Sequence, residues 1–145
     1  VKWPNDVWIG GRKCAGVLVE SRTDGPSIDS VVLGVGLNVN RTTWPAELKG
    51  IATSILQERG GEPLDRVLVL AAVVDRVEYW VGRLVEHGSD SVVGSLRSHL
   101  ALVGRRVRWE AGEGVFEGVD PGGAALVRTE SGLKTLHAAT FQPLD

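Results

Sequence analysis

The stretch Val1–Glu20, VKWPNDVWIGGRKCAGVLVE, decides how the rest of the chain is interpreted. Pro4 fixes its own φ angle and biases the preceding residue towards extended geometry, so Lys2 and Asn5 are held in place. The sequence order of Lys2, Asn5 and Asp6 places a cation, an amide and a carboxylate at the edge of a predicted sheet, where a small anionic ligand can bind. A proline turn with an Asn-Asp cap before a strand explains the same residues equally well.

A second glycine stretch, Gly34–Asn40, reads GVGLNVN. Glycines inside a β-branched run indicate close approach of a ligand or another backbone, and Asn38 would then contact a base edge. No helix with a GxGxxG opening follows, which argues against a dinucleotide-binding loop. A β-bulge is the alternative, and these residues alone favour it.

Composition restricts the class of protein. The chain has 145 residues, 43% apolar and 23% charged, with a formal net charge of −2. These values are typical of a globular protein and give no global reason for nucleic-acid or membrane binding. A single cysteine, Cys14, excludes an internal disulfide and fits a cytoplasmic location. The chain contains no Met and begins inside a motif, so we expect a C-terminal piece of a longer protein.

Three predicted strands form the first half of the chain: 7–9, 15–22 and 28–39. The Gly10-Gly11 pair between the first two is a hairpin signal, and the three strands should form an antiparallel meander. Thr53 or Ser54 is a helix cap, and a short helical turn should end at Gly60.

The second half combines helices with short strands. Apolar residues at three- and four-residue spacing predict a long helix from about Pro63 to Gly88, and a weaker helix follows from Ser89 to about Leu100. From Gly104, short strands alternate with glycine-rich turns, at 107–109, 115–119, 124–128 and 134–136. This pattern predicts a small barrel or sandwich with Trp109 and Phe116 in its core.

Other candidate residues have weaker signals. The three histidines lack the spacing of a zinc site: His87, His99 and His137. Cys14 is either slightly activated by its neighbour Lys13 or simply a small semi-buried residue, and the second interpretation is favoured. Trp44 lies in a polar loop and could cover a ligand. The basic cluster of Arg105, Arg106 and Arg108 is more typical of a solvated strand.

Four sequence elements together resemble the biotin protein ligase family. They are KWPND at 2–6, KCAGVLVE at 13–20, GVGLNVN at 34–40 and ATS at 52–54. They occur in the family's order and at its separations, and the resemblance covers essentially the whole chain. It implies an α+β fold with a mixed or antiparallel sheet and packed helices, similar to class II aminoacyl-tRNA synthetases but truncated. The implied domains are a partial catalytic domain at 1–101 and an SH3-like β-barrel at 102–145.

The resemblance also implies an activity, which is ATP-dependent attachment of biotin to a lysine of a biotin carboxyl carrier protein through biotinyl-5′-AMP. The substrates would be biotin and ATP, with Mg²⁺. Lys2 would be catalytic and would bind the biotin carboxylate and the α-phosphate. The remaining implied site residues are Gly16, Leu18 and Gly36 for biotin; Asn5, Asp6, Asn38, Thr53 and Ser54 for ATP or the adenylate; and Asp6 as a weak magnesium ligand.

The resemblance has a gap, because the family's Gly/Arg-rich loop over biotin lies upstream of KWPND. It leaves a homodimer open and implies no membrane partner, and DNA binding by an upstream domain is not readable from these residues. Two rival functions remain. A lipoate ligase or octanoyltransferase shares the fold but lacks the KWPND motif. A non-catalytic remnant of a ligase would only bind a partner protein.

We expect the 145-residue chain alone not to biotinylate a carrier domain, because the loop that covers the ligands is not in it. The test is to incubate the purified chain with biotin, ATP and a carrier domain, and to detect biotin on the carrier with streptavidin. Clear labelling would contradict the expectation.

Overall fold

The computed structural model describes residues 1–144, which form two compact units. The three-stranded unit is Asn5–Arg66, and the five-stranded unit combines Val1–Pro4 with the chain from Val67 onward. The KWPND motif is therefore divided, since Lys2 belongs to one unit and Asn5 to the other. Among residues 1–144, no helix combines the length and hydrophobicity needed to span a bilayer.

The three-stranded unit contains β1 (Asp6–Ile9), β2 (Arg12–Asp24) and β3 (Ser27–Leu37), all antiparallel and in chain order. The predicted meander is confirmed. Gly10 and Gly11 have φ angles of +56° and +77°. A two-residue turn with positive φ at both positions matches the twist of the strands that it joins.

The glycines of β3 lie in a regular ladder. Gly34 pairs with Leu18, and Gly36 pairs with Gly16. The register shift between β2 and β3 lies further out, next to Arg22. The β-bulge interpretation of the two β3 glycines is therefore wrong, and both glycines contribute to one face of a continuous sheet.

The chain after β3 forms a 3₁₀ helix, Ala46–Leu48, and a short helix α1, Ile55–Arg59. Ser54 caps α1, because its Oγ accepts a hydrogen bond from the Gln57 N–H at 3.2 Å. Gly60 ends α1 with φ at +68°. The predicted cap and stop are confirmed.

Two longer helices follow, α2 (Arg66–His87) and α3 (Ser89–Ser98). α2 begins later than predicted because the Asn40 carboxamide binds the backbone of Leu64, accepting from its N–H at 2.9 Å and donating to its carbonyl at 2.8 Å. This clamp holds the residue after Pro63 outside the helical ladder. All of α2 is described, and none of its residues is buried.

The five-stranded sheet is antiparallel, in the order β7-β6-β5-β4-β8. Its strands are β4 (Arg106–Trp109), β5 (Gly112–Val119), β6 (Ala125–Thr129), β7 (Gly132–Leu136) and β8 (Gln142–Pro143). The first four were predicted. β8 was missed because it has only two residues and contains a proline, which weakens a strand signal in a sequence; in the structure it lies at the edge of the sheet, where proline is tolerated. The α+β class with antiparallel sheets is confirmed.

An aromatic cluster forms the core of the five-stranded unit. The Phe141 ring lies 5.1 Å from Trp3, 5.1 Å from Phe116 and 6.5 Å from Trp109, measured between ring centroids. The predicted core positions Trp109 and Phe116 are confirmed, since both are buried. Trp3 also donates from its indole Nε1 to the Gly123 carbonyl at 3.0 Å, which fixes the start of the chain within this unit.

Helix α3 shares this core. Val93 is buried in it, and the Arg97 guanidinium donates to the Val119 carbonyl at 3.0 and 3.1 Å. α3 and β5 therefore pack together across the predicted domain boundary between residues 101 and 102. That boundary stays a prediction.

Phe141→Ala should lower the free energy of unfolding of the five-stranded unit by about 3–5 kcal/mol, because the phenyl ring is fully enclosed by aromatic neighbours. Urea unfolding followed by tryptophan fluorescence measures the change. Leu133→Ala, at a position 52% exposed on β7, is the matched control and should cost much less. Equal effects of the two substitutions would contradict the central place of Phe141.

Candidate functional site

One face of the three-stranded sheet carries paired glycines. Gly16 and Gly36 are opposite each other on β2 and β3, and Gly34 is opposite Leu18. We call this surface, defined by these four residues, the glycine face. Leu18 is 60% exposed on it. Three positions without side chains and one exposed apolar side chain make a flat surface that suits a planar or elongated ligand.

An ion pair lies at the edge of the glycine face. Asp6 is opposite Gly16 in the β1–β2 ladder, and its Oδ1 lies 2.5 Å from the Lys13 Nζ. The side chain of Asp6 is 16% exposed and that of Lys13 is 49% exposed. The carboxylate is therefore largely enclosed, while the ammonium faces solvent.

Gly16 leaves room for the lysine. A Cβ atom built at Gly16 would lie 3.2 Å from the Lys13 Nζ and 3.3 Å from its Cε. The lysine side chain thus crosses the space that any other residue at this position would fill.

A β-bulge brings Lys13 to this face. Val7 pairs with Ala15 but Trp8 pairs with Lys13, so Cys14 is an extra residue on β2. An extra residue breaks the strict alternation of side chains along a strand. Cys14 and Ala15 are consequently both buried, and Lys13 meets Gly16 although they are an odd number of residues apart.

Asn5 is held against β2 by two contacts with Val17. Its Nδ2 donates to the Val17 carbonyl at 3.0 Å, and its own carbonyl accepts from the Val17 N–H at 2.9 Å. The Asn5 side chain is therefore already engaged with the backbone. Its predicted contact with phosphate stays a prediction.

Lys2 lies in the five-stranded unit, between two fixed neighbours. The carbonyl of Val1 accepts a hydrogen bond from the Ala101 N–H at 2.6 Å. On the other side, Trp3 is buried in the aromatic core. The backbone at Lys2 is accordingly well fixed, and the predicted contact of Lys2 with the biotin carboxylate and the α-phosphate stays a prediction.

Asn38 follows the end of β3 and is partly exposed. Its N–H donates to the Cys14 carbonyl at 2.9 Å, and its carbonyl accepts from the Ile55 N–H at 3.0 Å. Hydrogen bonds at its N–H and at its carbonyl therefore fix the backbone from which the Asn38 side chain projects. The predicted contact between this carboxamide and the adenylate stays a prediction.

Thr53 and Ser54 are both fully buried. The Thr53 hydroxyl donates to the Glu58 carboxylate, and the Ser54 hydroxyl donates to the Arg41 carbonyl at 2.5 Å. Their side chains therefore form hydrogen bonds in the interior of the loop. Their predicted roles as ATP-binding residues stay predictions.

Glu58 was not singled out from the sequence. Its Oε1 accepts from the Arg12 guanidinium at 2.7 Å and also from the Thr53 hydroxyl. Arg12 and Glu58 are 46 residues apart, so no local pattern predicts the pair. The pair fastens α1 to the start of β2, and with it the loop that carries Thr53.

Cys14 is not activated. Its side chain is 1% exposed, and burial, followed by the nearby charge of Glu58, raises the pKa of its thiol. A raised pKa lowers the fraction of thiolate at neutral pH. The weaker of the two sequence interpretations, slight activation by Lys13, is therefore wrong.

Trp44 borders a cleft of about 460 Å³ in the three-stranded unit. Its indole Nε1 donates to the Gln57 Oε1 at 2.6 Å, and the Arg41 guanidinium lies 4.8 Å from the ring centroid. The indole is thus held in place beside the cleft. The cleft is lined by Arg12, Thr42, Thr43, Trp44, Lys49, Gly50, Ala52 and Gln57.

The described residues do not provide a magnesium site made of several protein side chains. Within residues 1–144, no group of three or more His, Cys, Asp or Glu side chains is arranged to hold a metal ion. Asp6 already contacts the ammonium of Lys13. Magnesium commonly keeps several waters and binds through one or two carboxylates and substrate phosphates, so its contacts here would come mainly from a bound nucleotide.

Comparisons with known proteins agree with the sequence motifs. A family model for the biotin/lipoate A/B protein ligase family matches residues 1–38. The chain is 32% identical over 148 residues to the bifunctional ligase/repressor BirA of Bacillus spizizenii, which covers 98% of this chain and 45% of that protein. It is 29% identical over 145 residues to the biotin–[acetyl-CoA-carboxylase] ligase of Paracoccus denitrificans, covering 96% and 60%. The chain thus spans about half the length of these relatives.

Solved structures give the same result. The apo biotin protein ligase of Aquifex aeolicus superposes with a TM-score of 0.86 at 30% identity, covering 98% of this chain and 64% of that one. The structure of the Aquifex ligase in complex with biotin and ATP gives a TM-score of 0.82 at 30% identity, covering 99% and 60%.

Ser54→Ala should lower the free energy of unfolding by about 1–2 kcal/mol, because it removes the cap of α1 and leaves the Arg41 carbonyl without its hydroxyl donor. Urea unfolding followed by circular dichroism measures the loss. Ser30→Ala, on the exposed part of β3, is the control and should change stability by less than about 0.5 kcal/mol. A cost no larger than that of the control would show that the Ser54 contacts do not stabilise the loop.

Proposed function

Because the chain belongs to the biotin protein ligase family, we propose that its gene product attaches biotin to a lysine of a biotin carboxyl carrier protein. In the first step an oxygen of the biotin carboxylate attacks the α-phosphorus of ATP, forming biotinyl-5′-AMP and releasing pyrophosphate. In the second step the carrier's lysine amine attacks the acyl carbon, an amide forms, and AMP leaves with its bonding electrons.

The glycine face is the observation that carries this proposal. A surface made of Gly16, Gly34 and Gly36 lets a ligand lie directly against the backbone, and Leu18 adds an exposed apolar contact. We assign Gly16, Leu18 and Gly36 to the floor of the biotin pocket. Burial of apolar area on this floor contributes about 25 cal/mol per Å².

The protein's part in such a reaction is alignment and charge stabilisation, since no protein side chain is itself altered covalently. We assign to Lys2 the contact with the biotin carboxylate and the α-phosphate, where negative charge develops in the first step. Asn5 and Asp6 adjoin Lys2 in sequence and are proposed to support the phosphate region. Asn38, Thr53 and Ser54 are proposed to form the adenylate side of the site.

Magnesium enters the proposal as the ion that accompanies ATP and neutralises phosphate charge when it is bound. The sequence-based assignment of Asp6 as its ligand stays a prediction, and the ion pair with Lys13 competes with it. The name of the Paracoccus relative supports a carrier domain of acetyl-CoA carboxylase as the partner. A cytoplasmic location and a homodimer are carried as parts of the proposal.

The full-length gene product should exchange labelled pyrophosphate into ATP only when biotin is present, and it should then transfer biotin to a carrier domain. Lipoate and octanoate should not replace biotin in the exchange. Exchange that depends on either of those acids would establish the acyltransferase alternative. No exchange with any of the three, together with binding of a carrier domain, would establish a non-catalytic binding protein.

Gly36→Val should raise the KM for biotin because the new side chain projects into the proposed floor. An overpacked contact of about 1–3 kcal/mol corresponds to a rise of about 5- to 150-fold. The fold should tolerate the change, since a Cβ at Gly36 meets only the Gly16 carbonyl oxygen, at 3.8 Å. Ser30→Val, on the same strand and away from the glycines, is the matched control and should leave the KM unchanged.

A further inference from the structure

The ATS segment, residues 52–54, keeps its hydroxyl groups in the interior of the three-stranded unit. Thr53 and Ser54 are both fully buried. The Thr53 hydroxyl donates to the Glu58 carboxylate, and the Ser54 hydroxyl donates to the Arg41 carbonyl. Because neither side chain is accessible, a nucleotide bound beside the ATS segment would contact its backbone. The position of that backbone then decides what the nucleotide meets.

The backbone of the ATS segment lies next to Asn38, which is also assigned to the adenylate. The Ile55 N–H donates to the Asn38 carbonyl at 3.0 Å, and the Thr53 N–H donates to the Lys13 carbonyl at 2.9 Å. Ala52 and Lys13 form an isolated parallel bridge, outside any regular strand pairing. An isolated bridge has few hydrogen bonds of its own, so side-chain contacts contribute much of what holds the segment.

The Glu58 carboxylate supplies such a contact and joins three parts of the unit. Its Oε1 accepts from the Arg12 guanidinium at 2.7 Å and from the Thr53 hydroxyl. Its Oε2 lies 3.3 Å from the place where a Cβ atom at Gly10 would be. The turn between β1 and β2, the start of β2 and the ATS segment therefore meet at one carboxylate.

This contact is stronger than one between neutral groups. Hydrogen bonds to an ionised acceptor are roughly twice as strong as neutral ones, and the Glu58 side chain is only 19% exposed. Arg12 supplies the opposite charge to the same oxygen that accepts from Thr53. Loss of the carboxylate would leave the buried Thr53 hydroxyl without its acceptor, which costs more than loss of an exposed hydrogen bond.

We infer that Glu58 is a positioning residue for the adenylate side of the proposed ligase site: its carboxylate holds Thr53 from the interior and so keeps the backbone of the ATS segment beside Asn38. The inference rests on the proposed function. Glu58 acts through Thr53 and has no contact with substrate in this role. The glycine face is held separately, by the ladder between β2 and β3, so the role concerns ATP and not biotin.

Substitutions in the full-length gene product test this role. The variants are Glu58→Ala, Thr53→Val and the combination of both, with Glu58→Gln as the conservative change. Glu62→Ala, at an exposed position of the same unit, is the matched control for loss of a carboxylate. The measurement is biotin-dependent ATP–pyrophosphate exchange, giving kcat, the KM for ATP and the KM for biotin.

Glu58→Ala should raise the KM for ATP by about tenfold, because the buried Thr53 hydroxyl loses its acceptor. The KM for biotin should stay within about twofold of wild type. Glu58→Gln should keep the KM for ATP within about threefold of wild type, since its amide oxygen still accepts both hydrogen bonds. Thr53→Val should raise the KM for ATP by about threefold or more. The double variant should resemble Glu58→Ala, because the two residues act through one contact.

Three results would overturn the role of Glu58. The first is a lower kcat in Glu58→Ala with both KM values unchanged, which shows that Glu58 only stabilises the fold. The second is an equal rise of both KM values. The third is a double variant whose KM for ATP is the product of the two single effects. If Glu58→Ala does not fold, Thr53→Val decides, and an unchanged KM for ATP overturns the role. Absence of exchange in the wild-type protein is a separate result, because it overturns the proposed function and this inference with it.

Discussion

The backbone of β2 between Lys13 and Val17 is the part of the three-stranded unit on which its proposed site residues depend. The Lys13 N–H donates to the Ile51 carbonyl at 2.8 Å, and the Thr53 N–H donates to the Lys13 carbonyl at 2.9 Å. The Asn38 N–H donates to this backbone at 2.9 Å, and the Asn5 carbonyl accepts from it at 2.9 Å. Three segments that are distant in sequence are thus fixed to five consecutive residues. Since buried backbone groups must be paired, a shift of β2 by one residue would release all three together.

The extra residue at Cys14 has two structural effects, on the burial of side chains and on the position of Lys13. In a regular strand, side chains alternate between faces, so two neighbours cannot both point to the interior. The bulge allows Cys14 and Ala15 to be buried together, at 1% and 5% exposure. It also moves the residue before them, Lys13, to the glycine face. Packing of the interior and placement of a charge on the surface therefore follow from one insertion, and the raised pKa of the buried thiol is a by-product of it.

Features with a local cause could be predicted from the sequence, and features with a long-range cause could not. The hairpin at Gly10-Gly11 and the Ser54 cap are set by neighbouring residues, and the structure confirms both of them. The late start of α2 depends on Asn40, 24 residues upstream, and the pairing of Glu58 joins residues 46 apart. Lys13 was not predicted as a site residue because the predicted second strand began at residue 15, and the extra residue at Cys14 becomes visible only in the strand pairing.

Apolar surface and charge lie at different places on the glycine face. Its flat backbone and the exposed Leu18 favour any ligand with an apolar body, because burial of area is not directional. The charges lie at its edge, in Asp6 and Lys13, and the Lys13 ammonium attracts a carboxylate or phosphate whatever body is attached to it. The family model that matches residues 1–38 covers both biotin and lipoate ligases, and those residues contain the whole glycine face and the ion pair. An apolar floor does not by itself distinguish two acids, and a choice between them requires polar groups that match one ring system and leave the other unpaired. Glycines carry no side-chain polar groups, so for the proposed ligase reaction such groups would have to come from residues other than the paired glycines.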